Sequence, residues 1–308
     1  MTTLNTVKLR ECKNDLTAVG TLKSKEVTYG TTGNGDQTIS VDLTLASIDD
    51  GIVNEHKMTL WAKNTSKLFK SYVTVANEYK TIDDNGSDAD RIKVTGSFDM
   101  NEFYHKTAQE LKTYNNIRAV FVNRLDKECK DEVGAAVECV ITGIADEMKD
   151  GTLTGRKKLT LLTVGYENRI SELQNIFVEK EMAAPFMQMY KVNTTARLYL
   201  KINNYVEIDE SQESEPQEVG FGVQLSNMPD STVRKYVNEV ICIGGDRPNP
   251  AVKFTNEQID EMKKIREMSR QEKLNSAPST PPNSAPTGFG SGFNSNFNDS
   301  SIDSDLPF

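Results

Sequence analysis

The residue types in this chain best suited to binding chemistry are aromatic rings interleaved with lysine and arginine. In Lys57-Met58-Thr59-Leu60-Trp61, strand alternation sets Lys57, Thr59 and Trp61 on one face, with Met58 and Leu60 on the other. A tryptophan sharing its face with Lys and Thr can offer its ring to a flat partner while the ammonium holds an anion. Similar mixtures occur at Lys23, Lys25 and Tyr29, and at Arg91, Lys93, Phe98, Phe103, Tyr104 and Lys106. In the second half they occur at Arg156, Lys157 and Lys158, and at Arg197, Tyr199, Lys201 and Tyr205. Phe98 shares parity with Ile92 and Val94, so both core and surface are open to it. Tyr104 lies in the polar stretch Asn101–Thr107, which favours the surface. A single lysine is ordinarily just solvated; the clustering is the signal.

Catalysis finds little to build on. There is no Gly-rich phosphate loop with its Lys-Ser/Thr and no G-x-S-x-G elbow. The only histidines, His56 and His105, have no conspicuous carboxylate or cysteine neighbour in sequence. Cys12, Cys129, Cys139 and Cys242 are widely spaced and form no C-x-x-C pair, so reduced, mostly buried thiols are expected. The expectation is a protein that is not an enzyme, with no metal and no cofactor.

The elements that must position these residues are mostly strands. Alternation is clear in Ile39–Leu45, in Lys57–Trp61 and in Arg91–Phe98, punctuated by Tyr29–Asp36, Asp49–Gly51 and Asp83–Asp90. Asn64 can cap a helix whose Leu68, Phe69, Tyr72, Val73 and Ala76 share a face. Three strands, a short helix and two strands is the order of the OB-fold, a five-stranded Greek-key barrel. Gly20 falls where its first strand must bend. The second half is a weaker echo: Val140–Ile144 matches the Gly20 strand and Lys158–Leu162 resembles Lys57–Trp61. Arg197–Ile202 aligns with Lys93–Phe98, Tyr236–Cys242 with Asn116–Val122, and a helix is placed near Glu179–Tyr190. The expected fold class is all-β dominated, a tandem OB-fold plus a C-terminal helix and a disordered tail. One OB-fold followed by an unrelated β-rich domain is the alternative. The expected domains are 1–125, 126–250, a helix over 251–274, a linker over 275–298 and a tip over 299–308.

Thr255-Asn256-Glu257-Gln258 reads as a capping box opening that helix. Ile259, Met262, Ile265 and Met268 give it an apolar stripe to rest on the body, with dimerisation or DNA contact as alternatives. The stretch from Asn275 is built from Ser, Pro, Asn, Gly and Phe, a composition that cannot bury enough apolar surface to order itself. Net charge is −9. The six acids of Glu207–Glu218 and the tail's Asp299, Asp303 and Asp305 account for all of it, so the remaining chain is neutral overall. Mean hydropathy is −0.53. No apolar run reaches a membrane span and the first residues do not read as a signal peptide, so a cytoplasmic address is expected.

The tail tip, Asp299, Asp303, Asp305, Leu306, Pro307 and Phe308, resembles the C-terminus of bacterial and phage single-stranded DNA-binding proteins. Those have an OB body, a Gly/Pro/Asn/Ser-rich linker and aspartates ending in Ile-Pro-Phe. Here serines interrupt the acids and Leu306 stands for the isoleucine. The resemblance implies non-sequence-specific coating and protection of single strands in DNA replication, recombination and repair. It also implies that the tip recruits partners such as a polymerase, primase or helicase. The two-barrel length suggests a phage-encoded form working in the cytoplasm of a bacterial host. The alternative is a replisome adaptor whose barrels bind proteins only.

Overall fold

The structure is a computed structural model, and it describes residues 7–105, 110–126, 129–209 and 233–275. The described residues form β1 (Asn14–Thr31), β2 (Gln37–Asp49), β3 (Ile52–Lys63), α1 (Leu68–Glu78), α2 (Ile82–Asn85), β4 (Arg91–His105) and β5 (Glu110–Arg124). The second half continues with β6 (Glu132–Lys149), β7 (Thr152–Val164), β8 (Ile170–Val178), α3 (Lys180–Met189), β9 (Thr195–Asp209), β10 (Val233–Gly245) and α4 (Asn256–Asn275).

Strand pairing runs β2-β3-β5-β4-β1, and β1 returns to β2, which closes a five-stranded barrel. The order β6-β7-β8-β10-β9, closed by β6 with β9, repeats it. In both copies the third and fifth strands are parallel, and a helix bridges the third and fourth. This is the OB topology twice over. Lys158–Leu162 lies on β7, the counterpart of β2, and not on the counterpart of β3 that its likeness to Lys57–Trp61 suggested. Alternation alone cannot tell neighbouring strands of one barrel apart.

Alternation buries Ile39, Val41, Leu43 and Leu45 of β2 against Met58, Leu60 and Ala62 of β3. Gly20 sits where β1 stops pairing with β4 and starts pairing with β2, beside a bulge between Leu22 and Ser24. A Cβ there would lie 2.3 Å from the Ala46 carbonyl oxygen, so only glycine permits the bend. Before that bend, Asn14–Val19 leaves β2 aside and pairs antiparallel with Val137–Glu132 of β6. One hydrophobic core therefore runs through both barrels.

The two helix starts differ in how they are capped. α1 begins at Leu68, whose amide is taken by the Ser66 hydroxyl at 3.2 Å, and not under an Asn64 cap. At α4, the Thr255 amide donates to Gln258 Oε1 (2.9 Å) and the Gln258 amide to Thr255 Oγ1 (3.2 Å), a complete capping box. Ile259 and Met262 are buried, but Met268 is exposed and Arg266 takes its place on the docked face. A three-residue repeat drifts around a helix of 3.6 residues per turn, so position 266, four beyond Met262, continues the stripe. Arg266 forms a bidentate pair with Glu102 of the β4–β5 hairpin (2.6 and 3.0 Å) and donates Nε to Glu172 of β8 (3.0 Å). Burial acts to raise the Glu102 pKa, yet Arg266 and Lys273 override it and hold that carboxyl below its ordinary value. α4 thereby ties the two barrels together.

Candidate nucleic-acid interface

Register across the first barrel builds one continuous outer face. Thr28, Ser40 and Trp61 stand in one row, and Glu26, Asp42, Thr59 and the β5 residue Arg118 in the next. A third row holds Ser24, Thr44 and Lys57. Together with Asn116 of β5, Glu26, Asp42 and Thr59 of the second row and all of the third line an open concavity of about 740 Å³. Inward parity is filled by core side chains, so these outward positions are free for polar and aromatic residues. Trp61 keeps 37% of its surface exposed, enough for a stacking ligand. Lys57 is exposed, and neither it nor Arg118 has a carboxylate partner among the described residues. Lys23 is paired with Glu55, and the Thr59 hydroxyl with Asp42.

A second aromatic group sits on the β4–β5 hairpin. Phe103 meets Tyr114 edge-on, centroids 5.9 Å apart, and His105 at 6.3 Å. Asn101 Nδ2 donates to the Tyr114 hydroxyl at 2.8 Å, and Lys112 lies directly across from Phe103. Arg118 and Tyr114 are not among the residues that the sequence singles out. Their shared even parity on β5, opposite to that of buried Ile117 and Ala119, is the signal that could have found them.

The remaining candidates divide by environment. Phe98 belongs to the core at 1% exposure, a correction to its place among surface candidates; its parity with Ile92 and Val94 decides it. Lys25 points inward and donates to the carbonyls of Val75, Ala76 and Tyr79 (3.3 Å and 2.7 Å for the first and last), closing the C-terminus of α1. Burial holds its pKa below the usual lysine range. Arg91 is tied to Asp131, to the Cys129 carbonyl (2.6 Å) and to Thr21 (3.3 Å). Tyr29 is exposed near the end of β1, Lys93 lies on β4 across from Asn123, and Tyr104 is half-buried. Lys106 lies outside the described residues.

In the second barrel Arg156 stacks on the Phe177 ring at 4.6 Å. It is surrounded by Glu239 (2.6 Å), Glu179 (3.3 Å) and Glu147 (3.6 Å). Lys157 pairs with Asp146, while Lys158 is exposed. Arg197 reaches Asp15 (3.1 Å) and Lys201 reaches Asp49, so both join the second barrel to the first. The Tyr199 hydroxyl bonds Asp246 at 2.7 Å, and Tyr205 is half-exposed beside Glu207. The tail residues Asp299, Asp303, Asp305, Leu306, Pro307 and Phe308 lie outside the described residues, as does most of the acidic run after Asp209.

Among the described residues no group of three or more His, Cys, Asp and Glu side chains could hold a metal ion. No described helix is long and apolar enough to cross a membrane. Fold and face together define a tandem OB-fold protein whose first barrel presents an open face of hydroxyls, carboxylates, cations and an aromatic ring. The family model named YorF matches residues 13–277, and the chain belongs to that family. Among solved structures it is similar to the wild-type single-stranded DNA binding protein from Thermus aquaticus, at 13% identity and TM-score 0.47, covering 78% of this chain and 95% of that one. A deletion mutant of the same Thermus aquaticus protein gives 14% identity, TM-score 0.45 and coverage of 80% and 98%. The Plasmodium falciparum SSB complex with single-stranded DNA gives 15%, 0.26, and 39% and 100%. No curated protein sequence matches the chain.

Proposed function

We propose that this chain binds single-stranded DNA without strong sequence preference, through the outer face of its first barrel. The observation that carries the reading is Trp61 on one exposed OB face with Lys57 and Arg118, two cations without carboxylate partners among the described residues. Rings stack on any base, and cations follow the phosphates whatever the sequence. The role is coating and protection during DNA replication, recombination and repair, with no catalytic step. In this reading residues 275–298 are the linker and 299–308 the tip that recruits replication or repair proteins, in a phage-encoded protein acting in host cytoplasm.

The test is titration with oligo-dT at several salt concentrations. Affinity should fall with log salt at a slope of about −0.7 per phosphate contacted. A flat salt response, or no binding, rejects the proposal. Removing Asp299–Phe308 should leave DNA affinity unchanged or raised while abolishing partner binding. A clear loss of DNA affinity counts against the recruiting tip.

A second reading is an adaptor that binds proteins only. It is favoured by Glu26, Asp42 and Glu55, three carboxylates on the same outer face. Fluorescence of Trp61, the single tryptophan, separates the two, since an adaptor shows no quenching on adding single strands.

A further inference from the structure

The duplicated barrel contains its own comparison. The inward pair Leu43–Met58 of β2–β3 corresponds to Leu159–Ile176 of β7–β8, in register with the matching bulges at Leu22/Ser24 of β1 and Ile141/Gly143 of β6, and all four are buried. That alignment sets Asp42–Thr59 on Lys158–Phe177 and Ile48–Val53 on Val164–Ile170. The two faces then part company at both ends.

At one end Ile48 is exposed, whereas its counterpart Val164 is only 1% exposed. Leu162, Val164 and Ile170 form a second apolar cluster with Phe254, Ile259 and Met262. Glu172 is held by Arg266. The N-terminal segment fastens the same cover: Arg10 grips Glu138 (2.6 and 2.8 Å) and lies 4.5 Å over the Phe254 ring. At the other end β3 runs on through Trp61 to Lys63, but β8 stops at Val178 and α3 begins at Lys180. Trp61 therefore has no counterpart on β8. Between the two ends, the Phe177 ring is already capped by Arg156, whose charge is met by three carboxylates.

We infer that the outer face of the second barrel is a socket for α4, and that the first barrel alone holds the DNA, one site per chain. This rests on the single-strand reading above and narrows it to one barrel. A duplicated strand-binding fold has then kept one copy as binder and turned the other into the mount for the C-terminal helix.

The experiment uses the full-length chain and an oligo-dT of about ten nucleotides, within the span of one OB-fold. Stoichiometry is read by Trp61 quenching and by calorimetry, on wild type, Lys57→Glu and Lys158→Glu. Both substitutions are on exposed strand positions, and circular dichroism checks that each variant folds. One oligonucleotide per chain is expected, with affinity falling about tenfold in Lys57→Glu and staying within about twofold in Lys158→Glu. Two oligonucleotides per chain, or equal losses in the two variants, overturn the inference while leaving single-strand binding intact. Absence of binding by wild type rejects the underlying reading, and this inference with it.

Discussion

Two ring side chains of β3 face opposite ways and do opposite things. Trp61 faces outward and half-free, so its ring packs little and its removal should barely touch the fold. Trp61→Ala is expected to weaken single-strand binding by about 1–3 kcal/mol, the range of one stacked base. Equilibrium titration checks this, and an unchanged affinity would take Trp61 out of the interface. His56 faces inward at 2% exposure, its Nε2 without a hydrogen-bond partner, where the second barrel has Leu173. Burial pushes its pKa from 6.5 down to about 4. Between those values the unfolded chain carries a proton that the folded chain refuses, so stability falls as pH falls through that window. The loss amounts to about 3 kcal/mol. His56→Leu should flatten the change in urea midpoint between neutral and mildly acid pH. The same acid loss in both proteins would refute it.

Among the elements, α4 shows how an ion pair can decide where a helix docks. Its aliphatic contacts, Ile259 and Met262, are few, and buried Arg266 bridges Glu102 and Glu172 from different barrels. Arg266→Ala leaves the buried Glu102 carboxylate only Lys273 (3.3 Å) and the Thr113 hydroxyl (3.1 Å) and should cost about 3 kcal/mol, seen as a lower urea midpoint. Replacing Arg266 and Glu102 together by apolar residues of similar size should recover much of that loss. The strands were legible in the sequence because alternation is local: Ile39–Leu45 and Lys57–Trp61 declare their faces within seven residues. The α4 capping box was legible for the same reason. Arg266 was not, since its partners lie 164 and 94 residues away. The same limit hid the pairings that occupy Lys23, Arg91, Arg156 and Arg197, all of which the sequence offered as surface cations. Lysine clustering marks a surface, but only the fold says which charges are already answered.

At the scale of the whole molecule, the chain joins two barrels of one topology with unequal surfaces. The join is the antiparallel pairing of Asn14–Val19 with Val137–Glu132. An OB barrel is only partly closed, and in the first barrel the stretch of β1 that leaves β2 would be an open edge with unpaired amides and carbonyls. β6 fills that edge, and β1 fills the matching stretch of β6. Each barrel is therefore the other's protection against edge-to-edge association. The expectation is that neither half stays soluble without the other. Expressed apart, with the chain divided between Arg124 and Glu132, each should self-associate or precipitate, and mixing them during refolding should restore a one-to-one complex. Size-exclusion profiles showing two stable monomeric halves would contradict this. The same seam that unites the fold thus guards it against aggregation.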